Sequence, residues 1–520
     1  MGLMDLRRLA ASRLREAPEH TAVVFGDTRL SYADFADAVE RSASAMAALG
    51  IGAGDRVGLL LHNSPELATL YFACFRIGAV AVPTNTRYRR RETEYALNHC
   101  EARLLIVDDE LVEEVRGIRD TVPTLAHVRV IGDASDEAHR PWAAALEGAS
   151  APAPEVAIED DAPAAIFYTS GSTSRPKGVT HTHRSLASHA ESRITTNGLG
   201  PDDVWLISSA MVHIAGSAGQ FFPAIRSGST AVIMPRHDPK AYLEHVRRYR
   251  PTRSLLLPTL LLDVLDQSDC CDAGCGCFKA LYCGGDAVTE EMRERWAAAT
   301  SAPLLQLLGM TECEAYCIER LGEPRREGSV GPPRAGVELR IVDSSGRDLP
   351  PGADGEIVIR SPSMMIGYWE EPEHTAAALR DGWLYTGDRG RMDEDGYVWF
   401  VGRSKEIIIR AGSNIAPGEV EDVIEEHPDV LAAAVVGAPD PRLGQIVVAF
   451  VEREPGKGSS LTAQELAEWA GRSIAAYKVP ERWVFVDRIP RNSVEKVDRA
   501  ALHAMAGTSL TDAVRTSVNP

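Results

Sequence analysis

Tyr168-Thr169-Ser170-Gly171-Ser172-Thr173-Ser174-Arg175-Pro176-Lys177-Gly178 is the stretch from which the rest of the chain can be read. Hydroxyl side chains, glycines and one lysine are packed into eleven positions, directly after the apolar run Ala164-Ala165-Ile166-Phe167. The run predicts a buried strand that feeds the loop, and glycine lets successive backbone N–H groups converge on an anion. Lys177 adds a point charge, so the segment predicts a phosphate-holding loop. It is not a Walker loop, because Lys177-Gly178 is followed by Val179 where that motif needs Gly-Lys and then Ser or Thr.

At 520 residues the chain exceeds one hydrophobic core and predicts about two to four structural units. A formal charge of -19 repels nucleic acid and anionic membrane surfaces, so an anionic substrate must be gripped locally. The first twenty residues mix Arg7, Arg8, Arg13 and Arg15 with Asp5, Glu16 and Glu19 and hold no apolar core of signal-peptide length. No window approaches the roughly 18 apolar residues of a membrane span. With nine scattered cysteines, these features predict a reducing cytoplasm. Cys270, Cys271, Cys275 and Cys277, with Cys283 nearby, have neither paired C-x-x-C hooks nor a finger histidine, so they read as reduced thiols rather than a zinc site.

Strand-like runs at 22–25, 57–61, 79–83 and 104–107 alternate with helical stretches, one of them opened by Ser31 with Asp34 placed to return the cap. Alternation of this kind predicts an α/β fold with parallel sheet covered by helices. Residues 149–163 read as a connector, and a second α/β stretch runs from 164 to about 320. Turn residues then thicken around strands at 337–342 and 355–360, predicting a β subdomain. After Arg403 a small α+β unit follows: a helix at 417–427, strands at 430–436 and 446–451, and a helix opened by the capping box Thr462 to Glu465. The expected division is 1–403, an N-terminal domain for acid and nucleotide, and 404–520, a small mobile C-terminal domain.

Downstream of the loop come Gly309-Met310-Thr311-Glu312, Tyr385-Thr386-Gly387-Asp388, Gly402-Arg403-Ser404-Lys405 and Lys496 after Arg491-Asn492-Ser493. Together and in this order they resemble the adenylate-forming superfamily of acyl-CoA synthetases, aryl-CoA ligases, luciferases and peptide-synthetase adenylation domains. The resemblance spans almost the whole chain. It implies a carboxylic acid, ATP, Mg²⁺ and a thiol, either CoA or the pantetheine of a carrier protein. The acid would attack the α-phosphate, pyrophosphate would leave, and the thiol would take the acyl group from the adenylate.

The resemblance also implies roles. Thr169, Ser170, Gly171, Ser172, Thr173 and Lys177 would hold the β and γ phosphates. Glu312 would be the Mg²⁺ ligand, since a hard cation takes carboxylate oxygen, and Thr311 would touch the α-phosphate. Asp388 and Arg403 would bind the ribose hydroxyls. Gly285, Asp286 and Ala287 would lie against adenine, with Leu308, Gly309 and Met310 along the nucleotide. Lys496 would bridge the substrate carboxylate and the α-phosphate, and His213 would border the acyl tunnel. Rotation about Lys405 would withdraw Lys496 and bring up Ala411-Gly412-Ser413-Asn414, whose small residues would let a pantetheine arm pass.

No aspartate lies between Ser208 and Phe222, where amino-acid-activating members keep one, so the resemblance favours an acid without an α-amine. The small residues from Ala215 to Gly219 suggest room for a bulky or polycyclic acid, and high Ala and Arg content suggests specialised bacterial metabolism. His181 and His183 read as helix-start residues rather than metal ligands.

Three positions depart from the family pattern. Leu308 stands where an aromatic ring stacks on adenine, Ser174 replaces a loop glycine, and Glu495 replaces the glycine before Lys496. A lost stack is worth ~0.5–1.5 kcal/mol and a non-glycine forced left-handed ~1–2 kcal/mol. Together they predict a loss of roughly a hundredfold, so an alternative is a member that binds preformed acyl-adenylate and mainly forms the thioester. A nucleotide-binding scaffold without turnover is a third reading. Oligomeric state is open.

Overall fold

A computed structural model describes residues 11–133, 140–169, 175–268, 270, 273–403, 407–454, 461–491, 497–507 and 514–515. The described residues within Met1–Thr86, Leu97–Tyr168 and Gly178–Ser404 form one compact unit, and those within Arg87–Ala96, Thr169–Lys177 and Lys405–Pro520 form a second. The fold is mixed α/β, as the alternation of strand and helix predicts.

The first unit is built on two eight-stranded sheets. One runs Glu314–Ile318, Leu304–Met310, Ala280–Gly284, Arg253–Leu256, Val204–Ile207, Thr230–Ile233, Thr21–Phe25, Thr28–Ser31, parallel through its middle and closed by an antiparallel strand at each edge. The other runs Gly367–Tyr368, Lys177–Thr182, Pro163–Thr169, Val80–Pro83, Arg56–Leu60, Leu104–Asp108, His127–Ile131, Arg140–Pro141. Strands such as Val80–Pro83 are buried on both faces and apolar throughout, as parallel strands sandwiched by helices must be. A core of interlocked rings, Phe35, Tyr71, Phe72, Phe75, Phe221 and Phe222, fills the space between the helices.

The helix Tyr32–Ala48 starts where the sequence signals it. Ser31 accepts from the Asp34 N–H while Asp34 takes the Ser31 N–H in return, which satisfies two of the four donors a helix start leaves open. The β subdomain is a five-stranded antiparallel sheet of Glu338–Val342, Gly355–Arg360, Trp383–Met392, Leu379–Arg380 and Val398–Arg403.

In the second unit, Val430–Asp440 and Gly444–Arg453 form a long hairpin flanked by Arg482–Val486 and the short strands Ile408–Arg410 and Ser413–Ile415. The helices Pro417–Glu425 and Ala463–Ser473 bury their apolar faces in its core, the second opened by the Thr462/Glu465 box. Lys478, with no exposed surface, lies between Glu92 at 2.6 Å and Glu419 at 2.5 Å and faces the Tyr88 ring. Burial pulls a lysine toward its neutral form, yet two carboxylates and two tyrosines hold its pKa well above the usual value.

Candidate functional site

The strand Pro163–Thr169 ends at the start of the segment expected to hold phosphate, and the strand Lys177–Thr182 begins at its end. Ser170, Gly171, Ser172, Thr173 and Ser174 lie outside the described residues. Lys177 is buried, with 6% of its surface exposed. Gly178 must be glycine for packing, since a Cβ there would stand 2.9 Å from Ile166 and 3.1 Å from Trp369. The short strand Gly367–Tyr368 pairs with the outgoing strand, Tyr368 opposite Val179, and Trp369 N–H donates to the Gly178 carbonyl at 2.7 Å.

That pairing delivers Tyr368 to the expected metal carboxylate. Leu304–Met310 and Glu314–Ile318 form a hairpin whose turn carries Thr311, Glu312 and Cys313. Gly309 is obligatory here, because a Cβ would meet the Glu314 carbonyl at 2.4 Å. Glu312 receives the Met365 N–H on its backbone at 2.7 Å and the Tyr368 hydroxyl on Oε1 at 2.7 Å. Burial raises the Glu312 pKa and the tyrosine hydrogen bond opposes that rise. A half-buried carboxylate under pressure to stay protonated fits a divalent cation, which would favour its ionised form.

The turn is also held from its other side. His181 donates through Nε2 to the Thr311 carbonyl at 2.8 Å, and burial pushes its pKa down to about 4, so the imidazole is neutral. The expectation that His181 starts a helix needs correcting, because it lies in the strand Lys177–Thr182 and its ring fixes Thr311 from there. His183 does open the helix His183–Asn197, behind the Thr182 cap.

Asp388 and Arg403 face each other across the antiparallel strands Trp383–Met392 and Val398–Arg403. Arg403 Nε donates to Asp388 Oδ1 at 3.0 Å, and the Tyr316 hydroxyl donates to Oδ2 at 2.7 Å. Each oxygen keeps a further lone pair for a sugar hydroxyl. Burial raises the Asp388 pKa, against the pull of Arg403 and Tyr316. Tyr316 is on the return strand of the hairpin that carries Glu312, so one hairpin supports both carboxylates.

Gly284, Gly285, Asp286 and Ala287 end the strand Ala280–Gly284. Gly285 has φ +90° and is exposed, leaving bare backbone at the surface. Asp286 accepts from the Ala287 N–H at 2.7 Å. Leu308 is half-buried opposite Cys317 and packs, with Met310, against the β subdomain's core.

His213 is exposed and directly precedes the one-turn helix Ile214–Gly216, which runs into the π-helix Ser217–Phe221. Wide turns of this kind recur at functional sites. Two of the small residues in this segment are small for packing reasons. A Cβ on Gly216 would lie 2.3 Å from the Ala210 carbonyl, and one on Gly219 2.8 Å from Glu314 Oε1. In the second unit, Ala411 (φ 50°) and Gly412 (φ 75°) form the two-residue turn between Arg410 and Ser413. Lys496, Glu495, Ser404 and Lys405 lie outside the described residues. Cys270, Cys275 and Cys283 are buried, and no group of three metal-ligating side chains occurs among the described residues. Among them too, no helix is long and apolar enough to cross a membrane.

Residues 10–369 match the AMP-binding enzyme family and residues 419–496 match the AMP-binding enzyme C-terminal domain. The chain therefore belongs to the AMP-binding enzymes, the adenylate-forming superfamily that the motifs resemble. This is the class of AMP-forming acid–thiol ligases that use ATP, CoA and Mg²⁺. The chain is 36% identical to an indoleacetate–CoA ligase of Aromatoleum aromaticum, over 92% of this chain and 94% of that one. It is 35% identical to a feruloyl-CoA synthase of an Amycolatopsis species, over 93% and 96%. Among solved structures it is similar to the amide bond synthetase McbA of Marinactinospora thermotolerans, with a TM-score of 0.88 and 28% identity, covering 98% of this chain and all of that one.

Tyr368 and Tyr316 are the supporting residues that sequence reasoning missed, and His181 is one that it placed at a helix start. The Gly367-Tyr368-Trp369 run was the one available signal, a glycine–aromatic cluster outside any motif.

Proposed function

We propose that the chain is an acyl-CoA ligase that activates a carboxylic acid without an α-amine through its acyl-adenylate. The observation that carries this reading is the single hairpin Leu304–Ile318, which supports Glu312 in its turn and Asp388 through Tyr316. In the reaction a carboxylate oxygen of the acid attacks the α-phosphorus of ATP, forming the P–O bond as the bond to pyrophosphate breaks. A thiolate then attacks the acyl carbon and AMP leaves with the oxygen that bridged acid and phosphorus.

Asp388 and Arg403 orient the ribose, and Thr169 and Lys177 flank the phosphates. Glu312 would hold Mg²⁺, which neutralises charge on the departing pyrophosphate. His181 and Tyr368 keep Thr311 and Glu312 from drifting. Lys496 offsets the charge that gathers between carboxylate and α-phosphate, and His213 borders the acid's entry. The division at 403, and a swing of the C-terminal domain that exchanges Lys496 for the Ala411-Gly412 turn, belong to this proposal.

Among the described residues nothing favours the adenylation-impaired alternative. Leu308 has a packing role against the β subdomain, and Ser174 and Glu495 fall outside the described residues. The test is a panel of aryl and fatty acids with ATP and CoA, reading product mass. Acyl-CoA from at least one acid supports the reading. Thioester only from synthetic acyl-adenylate would replace it with the impaired version, product only when an amine is supplied would make it an amide synthetase, and binding of ATP without any product would leave a scaffold.

A further inference from the structure

The helix His183–Asn197 carries a polar stripe that faces inward. His189, Arg193 and Asn197 are spaced by four residues, so they stack on one face, and they are 2%, 0% and 5% exposed. Polar groups taken from water are nearly always paired, because an unpaired one loses its hydration without return. Here five polar atoms have no hydrogen-bond partner among the described residues: Arg193 Nε and Nη1, both side-chain atoms of Asn197, and His189 Nδ1. What Arg193 does have is weak. Its Nη2 reaches the Gly219 carbonyl at 3.5 Å, and its guanidinium lies 4.8 Å from the centre of the Tyr282 ring.

Charge is unbalanced at the same place. Arg193 and Arg334 are both buried beside one carboxylate, Glu314, which is already bonded to His189 Nε2 at 2.5 Å. Burial pushes the His189 pKa down to about 4, so its imidazole is neutral at working pH and adds no charge to the cluster. Beyond Tyr282, the carboxylate of Asp203 is shared by Arg253 and Lys279. A buried guanidinium without a dedicated anion is among the costliest arrangements a core can hold.

Its neighbours are the segments already assigned to substrates. Gly219 belongs to the segment that follows His213. Tyr282 is on the strand that ends in the Gly284-Gly285 turn, and Glu314 follows Glu312 by two residues. Between Arg193 and the His213 segment stands glycine backbone, held free of a side chain by the approach of Glu314.

On the reading above that the chain is an acid ligase, we propose that this stripe is the far end of the acid site and that Arg193, with Asn197, holds a second acceptor oxygen of the acid, best an anionic one. The substrate class is then acids that carry a carboxylate, or failing that a hydroxyl, remote from the carboxyl that is activated. Arg193 is a specificity residue.

The test uses the full chain with ATP, CoA and pairs of aryl acids that differ only in a distal carboxylate or hydroxyl, measuring kcat/KM from product mass. The wild-type protein is expected to prefer the oxygen-bearing partner by about a hundredfold, since a site with buried unpaired donors rejects the analogue that cannot fill them. R193M should erase that preference through the KM of the oxygen-bearing acid, and R193K should restore part of it. If R193M does not fold, the wild-type preference and the variant Asn197→Leu decide, the latter expected to lower the same ratio about tenfold. Thioesters formed equally well from both partners, or a loss in R193M that is equal for both, would overturn the inference while leaving the ligase standing. No thioester from any acid would instead remove the ligase reading.

Discussion

Tyr368→Phe removes one oxygen and leaves the ring that packs beside the strand Lys177–Thr182. The lost contact is a 2.7 Å hydrogen bond to a carboxylate whose pKa burial has raised. Hydrogen bonds to charged groups contribute about 1.5–3 kcal/mol, which corresponds to a factor of about ten to 150 in an equilibrium. Without the hydroxyl, Glu312 is less willing to ionise, and a protonated Glu312 is no ligand. The pKa of Glu312 is displaced upward from its ordinary value, so Mg²⁺-dependent binding falls as pH drops through that raised value, and in the variant the fall begins at higher pH. The assay is ATP binding by calorimetry, with and without Mg²⁺, from pH 6 to 8, beside thermal unfolding to confirm the fold. ATP should bind at least ten times more weakly in the presence of Mg²⁺, with metal-free ATP affected much less. Equal weakening with and without the metal, or no weakening, would refute the assignment of Glu312.

Two further consequences concern stability. His181 and His183 are both pushed down to about 4 by burial, against 6.5 in the unfolded chain. Between those values the unfolded state binds protons that the folded state refuses, so stability rises with pH across the window and is lost on acidification at about 3 kcal/mol per pH unit for the two groups together. Urea midpoints at pH 7 and pH 5 check it, and equal midpoints would contradict it. Lys478→Met leaves Glu92 and Glu419 buried without their cation, which should cost about 3–5 kcal/mol. Chemical denaturation of the variant reads that loss, and a value under about 1 kcal/mol would show that the triad is relaxed by water.

Much of the fold was legible because its signals are local. The Ser31/Asp34 and Thr462/Glu465 boxes each join residues three positions apart, and chain order alone fixes their geometry. The site was legible only as motifs. The partners that shape those motifs lie far off in sequence: Tyr368 is 56 residues from Glu312, Tyr316 is 72 from Asp388, and His181 is 130 from Thr311. Such contacts are decided by sheet order and strand register, which a single sequence does not display. Gly216 and Gly219 show the converse, since their size suggested open space while close approaches to Ala210 and Glu314 account for it. Glu314 gave no signal at all, a carboxylate at φ +57° buried against a histidine 125 residues away.

The central claim is that the acid's own oxygen becomes part of a mixed anhydride with the nucleotide. A substrate acid labelled with ¹⁸O at both carboxyl oxygens, turned over with ATP and CoA, tests it in one mass spectrum. The account predicts one ¹⁸O atom in each AMP released and none in pyrophosphate. Unlabelled AMP, or label in inorganic phosphate alongside ADP, would contradict it.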